Sequence, residues 1–347
     1  MKIDGRLSNT FYLLNVISIL LIVCMHSVVP VKDISSQIVV NFVFKGITRI
    51  AVPIFFLVSS CLFFRDYTDS LYWKKIQKRF RSLMIPYFAT ILIYFIFYYC
   101  TQQVSGIRGF YNDDKLVENY TWTEIFSKVF IVPINPALWF LRDLFVLYLF
   151  SPILYHLNRN KYLSILWSVV LLFMWVSHIN IHYECLFFVN IGCVIAINYD
   201  SFIKIKLGNR YFGIFVVCFI LYILESLLLS ILFSTGIITE ENGAYLLILK
   251  TLIVAGVFST FLWVYRYSDF LCGTFLQYMM KYSFFIYLFH MLIIHIVRNI
   301  GVYVLPNSPL IVYGFTIILT LLISVSSYNL IKKLFPPLLT LVLGGRI

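Results

Sequence analysis

Charge is scarce in this 347-residue sequence, and acid is scarcer than base. Charged residues make up 12% of it, with 15 Asp and Glu against 27 Lys and Arg. A water-soluble globule needs more polar surface than this to cover a core, so a soluble fold is excluded. The seven cysteines (Cys24, Cys61, Cys100, Cys185, Cys193, Cys218 and Cys272) lie mostly in apolar runs and form no C-x-x-C pair. Neither a disulfide framework nor a metal site is expected from them. The sequence has no Gly-rich phosphate loop, internal repeat or low-complexity tract, which removes nucleotide-loop enzymes and solenoids. No small-residue cleavage site follows Lys2, Arg6 and the first apolar run, so that run is expected to stay as a helix.

What is present is hydrophobic sequence: 61% of the residues, with a mean hydropathy of +0.91. Crossing about 30 Å of hydrocarbon as helix takes roughly 20 apolar residues. Ten segments meet or approach this length, at about 11–31, 39–64, 83–104, 137–155, 162–178, 183–199, 211–234, 245–265, 283–305 and 309–331. The fifth and sixth are short, and His178 to Tyr183 between them requires a tight turn. The reading is an all-α integral membrane protein of about ten transmembrane helices. It forms one transmembrane domain over 1–347 with no separate soluble domain.

The net charge of +12 sits in short clusters between apolar runs. This is topogenic charge, and it favours the lipid bilayer over nucleic acid as partner. With the N-terminus cytoplasmic, 18 of the 27 basic residues fall on the inner side, so both termini are expected to be cytoplasmic. The basic inner loop, about 65–82, is either an ordinary anchor or a holder of a phosphate-bearing cytosolic ligand. The outer loop, about 101–136, mixes Asp113, Asp114, Glu118 and Glu124 with Tyr111, Tyr120 and Trp122. It either covers an external substrate site or is a solvated interfacial loop.

Ionisable groups inside a membrane are costly and mark packing or function. His26 is read as lying deep in the first span. Asn15, eleven residues earlier, projects from nearly the same helical face about 16 Å along the axis. Arg142 and Asp143 enter the fourth span; as sequence neighbours they point about 100° apart, so each is expected to find another partner. Lys45 and Arg49, spaced i, i+4, make a double positive site that either snorkels or binds an anion. The ninth span carries His290, then His295 and Arg298, which can share a face. Glu225 and Lys250 are opposite charges able to pair between the seventh and eighth spans.

Several stretches together resemble the type-three family of integral-membrane acyltransferases of bacteria. These are the first span ending in His26-Ser27, the run Val52-Pro53-Ile54-Phe55-Phe56-Leu57-Val58-Ser59-Ser60, and the basic element Lys78-Arg79-Phe80-Arg81-Ser82-Leu83-Met84-Ile85-Pro86-Tyr87. Leu138 to Leu141, Leu144 to Leu149, Tyr282 to His290 and the closing Leu343-Gly344-Gly345-Arg346 complete the set. The resemblance implies a ten-helix core that takes an acyl group, usually acetyl from cytosolic acetyl-CoA, and delivers it to a hydroxyl of a polysaccharide or glycolipid at the cell membrane. His26 is then the catalytic group, acting as general base or transient acyl carrier. Asn15, Ser59, Arg142 and His290 are supporting polar groups. Lys78, Arg79 and Arg81 are placed to hold a CoA phosphate, and no metal is implied. Other polysaccharide-biosynthesis proteins are expected partners, since no appended domain is present to relay the product. Where the family carries arginine eleven positions before the histidine this chain has Asn15, and the glycine of the second-span run is Ser60. Asn15 keeps a hydrogen-bonding side chain but loses the charge and the bidentate fork. Two other classes compete: a glycan transporter or export component, and a structural partner in a biosynthetic complex.

Overall fold

The computed structural model describes residues 5–108, 116–177, 180–198, 212–273 and 275–346, and every one of the ten apolar segments is helical. No strand occurs among the described residues. Lys2, Tyr111, Asp113, Asp114, His178 and the basic cluster at Lys204, Lys206 and Arg210 lie outside them. The helices used below are α1 (Gly5–His26), α2 (Ile34–Asn41), α3 (Ala51–Phe64), α4 (Tyr72–Arg79), α5 (Ile85–Gln102), α6 (Trp139–Leu149) and α7 (Ser151–Arg159). They are followed by α8 (Lys161–Ser177), α9 (Ile181–Ile197), α10 (Phe212–Ser234), α11 (Gly243–Leu271), α12 (Ser283–Val304), α13 (Pro309–Leu334) and α14 (Pro336–Val342).

Seven helical runs among the described residues are long and apolar enough to cross a bilayer. The run containing α6 is bent by 54° where Trp122–Ile131 meets Pro136–Leu149. Helices α8 and α9 have 17 residues each, short of a full straight crossing.

Side-chain staples set the direction of the helices. Arg6 at the start of α1 donates to the carbonyls of Tyr265 (3.0 Å) and Arg266 (2.6 Å) near the end of α11. Beyond the other end of α1, Val28 O accepts from Arg298 in the last third of α12. Helix α1 is therefore antiparallel to α11 and parallel to α12, and the bundle has a His26 end and a Gly5 end. The stretch Ile34–Phe64 is central, 72% of its apolar window being buried, whereas α10 and α13 bury 22% and 28% and turn their aliphatic side chains to lipid.

The central run is not one regular helix. Asp33 caps α2, its carboxylate accepting from Ser36 N–H at 2.8 Å, and the bonds from Ser36 and Ser35 hold its pKa down to about 2. A π turn (Phe42–Gly46) and a 3-10 turn (Ile47–Ile50) then intervene before α3. A Cβ on Gly46 would stand 2.7 Å from Ser226 Cβ, so only glycine lets α10 approach here. The Ile47 carbonyl, in the break, accepts the Tyr222 hydroxyl at 2.6 Å. Further along, α3 crosses α9 at Gly192, where a Cβ would meet Leu57 O at 2.5 Å. Ser60 Oγ donates to Val189 O (2.6 Å) across that crossing, so the small Ser60 stays compatible with close approach.

Three expectations change, and the partners of His295 and Arg298 are resolved. His26 is the last residue of α1 and half-buried, because the helix stops before Pro30 and does not continue to residue 31. Arg142 and Asp143 do pair, Nε to Oδ1 at 2.7 Å, since a long guanidinium can curl back on its neighbour when both occupy a bend. Lys250 pairs with Glu184 (3.8 Å) and not with Glu225, whose Oε2 is buried without a hydrogen bond. His295 lies 3.4 Å from Asn299, while Arg298 turns to Val28 O.

Candidate active site

Two histidines far apart in sequence meet at the His26 end. The rings of His26 and His290 have centroids 5.4 Å apart and are tilted by 40°. His290 is fully buried, and its Nδ1 lies 2.8 Å from Tyr287 O and 3.1 Å from Ile286 O. Carbonyls only accept, so Nδ1 carries a proton; in the neutral ring Nε2 is then an acceptor. That Nε2 is buried with no hydrogen-bond partner.

The helix around His290 is braced by side chains from two other elements. The Tyr94 hydroxyl accepts from Leu292 N (3.1 Å) and donates to Leu288 O (3.4 Å), the two groups an undisturbed α-helix would join to each other. Asn135 Nδ2 donates to the same Leu288 O at 3.0 Å while its Oδ1 accepts from Ala137 N. Tyr287 donates to Ala137 O at 2.6 Å. The bent segment before α6 thus grips α12 within a turn of His290. On the other side, Tyr313 donates to Cys24 O (3.0 Å) in the last turn of α1. Arg298, bonded to Val28 O at 3.3 Å, brings its charge to bear on His26.

A second cluster forms at the Gly5 end. Arg79 and Lys75, one helical turn apart on α4, face inward: the Arg79 guanidinium is 5.3 Å from the Tyr148 ring centroid and 5.7 Å from that of Phe63. Lys75 donates to Phe63 O and Arg65 O. Phe63 and Tyr148 stack at 4.0 Å, and Ser59 lies against Tyr148. The terminal Gly344 adopts φ +61, a conformation glycine allows freely, and a Cβ there would stand 2.7 Å from Arg81 O. This turn seats the C-terminus on the basic element and sets the Arg346 guanidinium 4.0 Å from the Phe284 ring centroid, with its charge acting on Tyr148 beside that of Arg79.

The candidates named from sequence therefore divide. His26 and His290 come together. Asn15 stays about 16 Å down α1, and its Oδ1 is buried without a partner. Ser59 belongs to the Arg79 cluster. Arg142 staples the bend through Asp143 and the carbonyls of Phe130 and Ile131. Lys78 and Arg81 are exposed, whereas Arg79 is half-buried. Tyr94, Asn135 and the site on Tyr148 escape sequence reasoning: single polar groups in apolar or loop sequence carry no periodic signal.

The class is thus a polytopic α-helical membrane protein with a histidine pair at one end of its bundle and an arginine cluster at the other. The signature of the family described as "Acyltransferase domain" matches residues 12–329, and the chain belongs to that family. It is also similar to the succinoglycan biosynthesis protein ExoH of Rhizobium meliloti (strain 1021), 30% identical over 114 residues, which is 33% of this chain and 31% of ExoH. No solved structure gives a significant match.

Proposed function

We propose that this protein is a membrane O-acyltransferase of the cytoplasmic membrane that moves acetyl from cytosolic acetyl-CoA to a hydroxyl of a cell-surface or exported polysaccharide or glycolipid. The observation that carries the reading is the unpartnered Nε2 of His290 opposite His26. A small rotation of the neutral His26 ring donates its single N–H to that acceptor and leaves its other nitrogen as general base. His26 then takes the proton of the acceptor hydroxyl as the oxygen attacks the thioester carbonyl carbon. The C–S bond breaks, the thiolate leaves, and the proton passes from His26 to it. Arg298, whose charge acts on His26, is the group to stabilise the developing oxyanion.

The Gly5 end is assigned to the cytoplasm, where Arg79 and Arg346, with the exposed Lys78 and Arg81, offer guanidinium and ammonium groups for the donor's phosphates. Asn15, with its buried unpartnered oxygen, lies on α1 between the two ends and is a hydrogen-bonding post for the donor's amide-bearing arm. The polysaccharide acceptor is supported by the family and by the partial likeness to a succinoglycan biosynthesis protein. The test is labelled acetyl-CoA supplied to membranes containing the wild type, His26→Ala, His290→Ala and Asn15→Arg. Transfer to endogenous glycan is expected for the wild type and lost in both histidine variants. Undiminished transfer by His26→Ala sinks the assignment.

A further inference from the structure

Three cations approach one another at the break between α2 and α3, and the protein neutralises two of them. Lys45 binds Glu240 at 2.5 Å, with its ammonium 3.8 Å from the Phe233 ring centroid. Lys250, 4% exposed, pairs with Glu184 at 3.8 Å and lies 4.7 Å from the Trp175 ring centroid, while Trp175 Nε1 donates to Glu184 Oε2. Both glutamates are thus spent on lysines. Arg49 is half-buried and, among the described residues, has no hydrogen bond and no ion pair, although its charge acts on Glu184, Lys250, Glu240 and Tyr245. It is the uncompensated charge of the cluster. It is carried by the 3-10 turn Ile47–Ile50, which packs on α1, α10 and α11, with Ile50 beside Gly256 near the middle of α11, and the cluster extends from there toward the His26 end through Lys250 early in α11 and Glu240 before it.

An uncompensated guanidinium within the membrane-spanning part of a bundle is costly unless a ligand or a wet cavity completes it. Its planar fork of donors matches two oxygens of one anion, which a lysine cannot imitate. We propose that Arg49 is the anchor for an anionic group of the acceptor, a carboxylate or phosphate presented on the same side of the bundle as the histidine pair. The proposal rests on the acyl-transfer reading for the identity of the ligand as acceptor, and on the cluster alone for its charge. Such an anchor holds the sugar by its acid group and leaves a neighbouring hydroxyl free. The shared chemistry has two sources: an acidic sugar residue or the phosphate of a lipid-linked glycan.

The full chain in detergent is tested as wild type, Arg49→Gln and Arg49→Lys, with monodispersity checked by gel filtration. Thermal stability is measured with a glucuronate-containing tetrasaccharide, a matched neutral glucose tetrasaccharide, and a polyprenyl phosphate. Wild type is expected to be stabilised by an anionic probe and not by the neutral one. Arg49→Gln is expected to lose that shift and Arg49→Lys to keep part of it, so one variant still reports if the other misfolds. A shift with the sugar acid assigns the anion to the glycan, and a shift with polyprenyl phosphate alone assigns it to the lipid carrier. In the transfer assay Arg49→Gln raises KM for the anionic acceptor about ten- to a hundredfold with kcat retained. No shift from either anion in the wild type, or the same shift in Arg49→Gln, overturns the proposal. An Arg49-dependent shift without acyl transfer from any donor leaves the anion site standing and removes the acyltransferase reading.

Discussion

His290 holds its Nδ1 proton on Tyr287 O at 2.8 Å and keeps a buried, unpartnered Nε2, its ring centroid 5.4 Å from that of His26. One histidine is locked and the other sits at a helix end. This asymmetry distinguishes an orienting ring from a working one. His290→Gln, which keeps the volume but not the locked acceptor, is expected to lower transfer by about a hundredfold without unfolding the bundle. The check is initial rate with labelled acetyl-CoA together with gel filtration; an unchanged rate removes His290 from the reaction.

Asn135 serves α12 and its own turn at once, through Leu288 O and Ala137 N. Asn135→Ala strips Ala137 N of its side-chain partner and leaves Leu288 O only the longer bond from Tyr94, and is expected to cost about 1–3 kcal/mol. Thermal unfolding in detergent reads this directly. Transfer should fall as well, because the grip on the His290 turn is loosened.

Lys250 and Glu184 have side chains only 5% and 7% exposed. Removing one partner strands a charge in a low-dielectric interior. Glu184→Gln or Lys250→Met alone should therefore destabilise by about 3–5 kcal/mol, and the double variant by clearly less than either. A double-mutant cycle of unfolding free energies that shows simple additivity contradicts the pairing.

Gly192 faces the Leu57 carbonyl at a distance no side chain fits. Gly192→Ala pushes backbone against backbone, which cannot be relieved by a rotamer change. A loss of about 1–3 kcal/mol is expected, and Gly192→Val should fail to accumulate in membranes. Expression level and thermal stability test both.

The Lys45 ammonium bound to Glu240 holds that carboxyl below the usual carboxylate range. A depressed folded-state pKa contributes stability that is present above the unfolded value, near 4.3, and is lost as pH falls through the folded value. Wild-type stability should be flat in this respect from about pH 8 to 5 and fall below about pH 4. Glu240→Gln should show a smaller acid loss, measured as melting temperature against pH. An identical acid limb in both proteins argues against the latch.

The ten apolar segments, the basic loops between them and the polar intruders His26, Arg49 and His290 were legible in sequence. Run length and charge placement are local properties, and a bilayer leaves backbone groups little alternative to a helix. The break between α2 and α3 was not legible. Phe42–Ile50 reads as ordinary helix until Ser226 presses on Gly46 and Tyr222 takes the Ile47 carbonyl. The bend before α6 was equally hidden, because it depends on where the Arg142 guanidinium finds carbonyls.

Sequence alone determined that this is a helical membrane protein with a histidine in its first span and a resemblance to membrane acyltransferases. Only the tertiary structure decided that His26 meets His290, that Arg346 returns to the Arg79 cluster, and that of three neighbouring cations Arg49 is the one left unneutralised. The reason is physical. Spanning a bilayer is a free energy summed along a single segment, whereas which side chains share one low-dielectric space is set by crossings between helices that are distant in the chain.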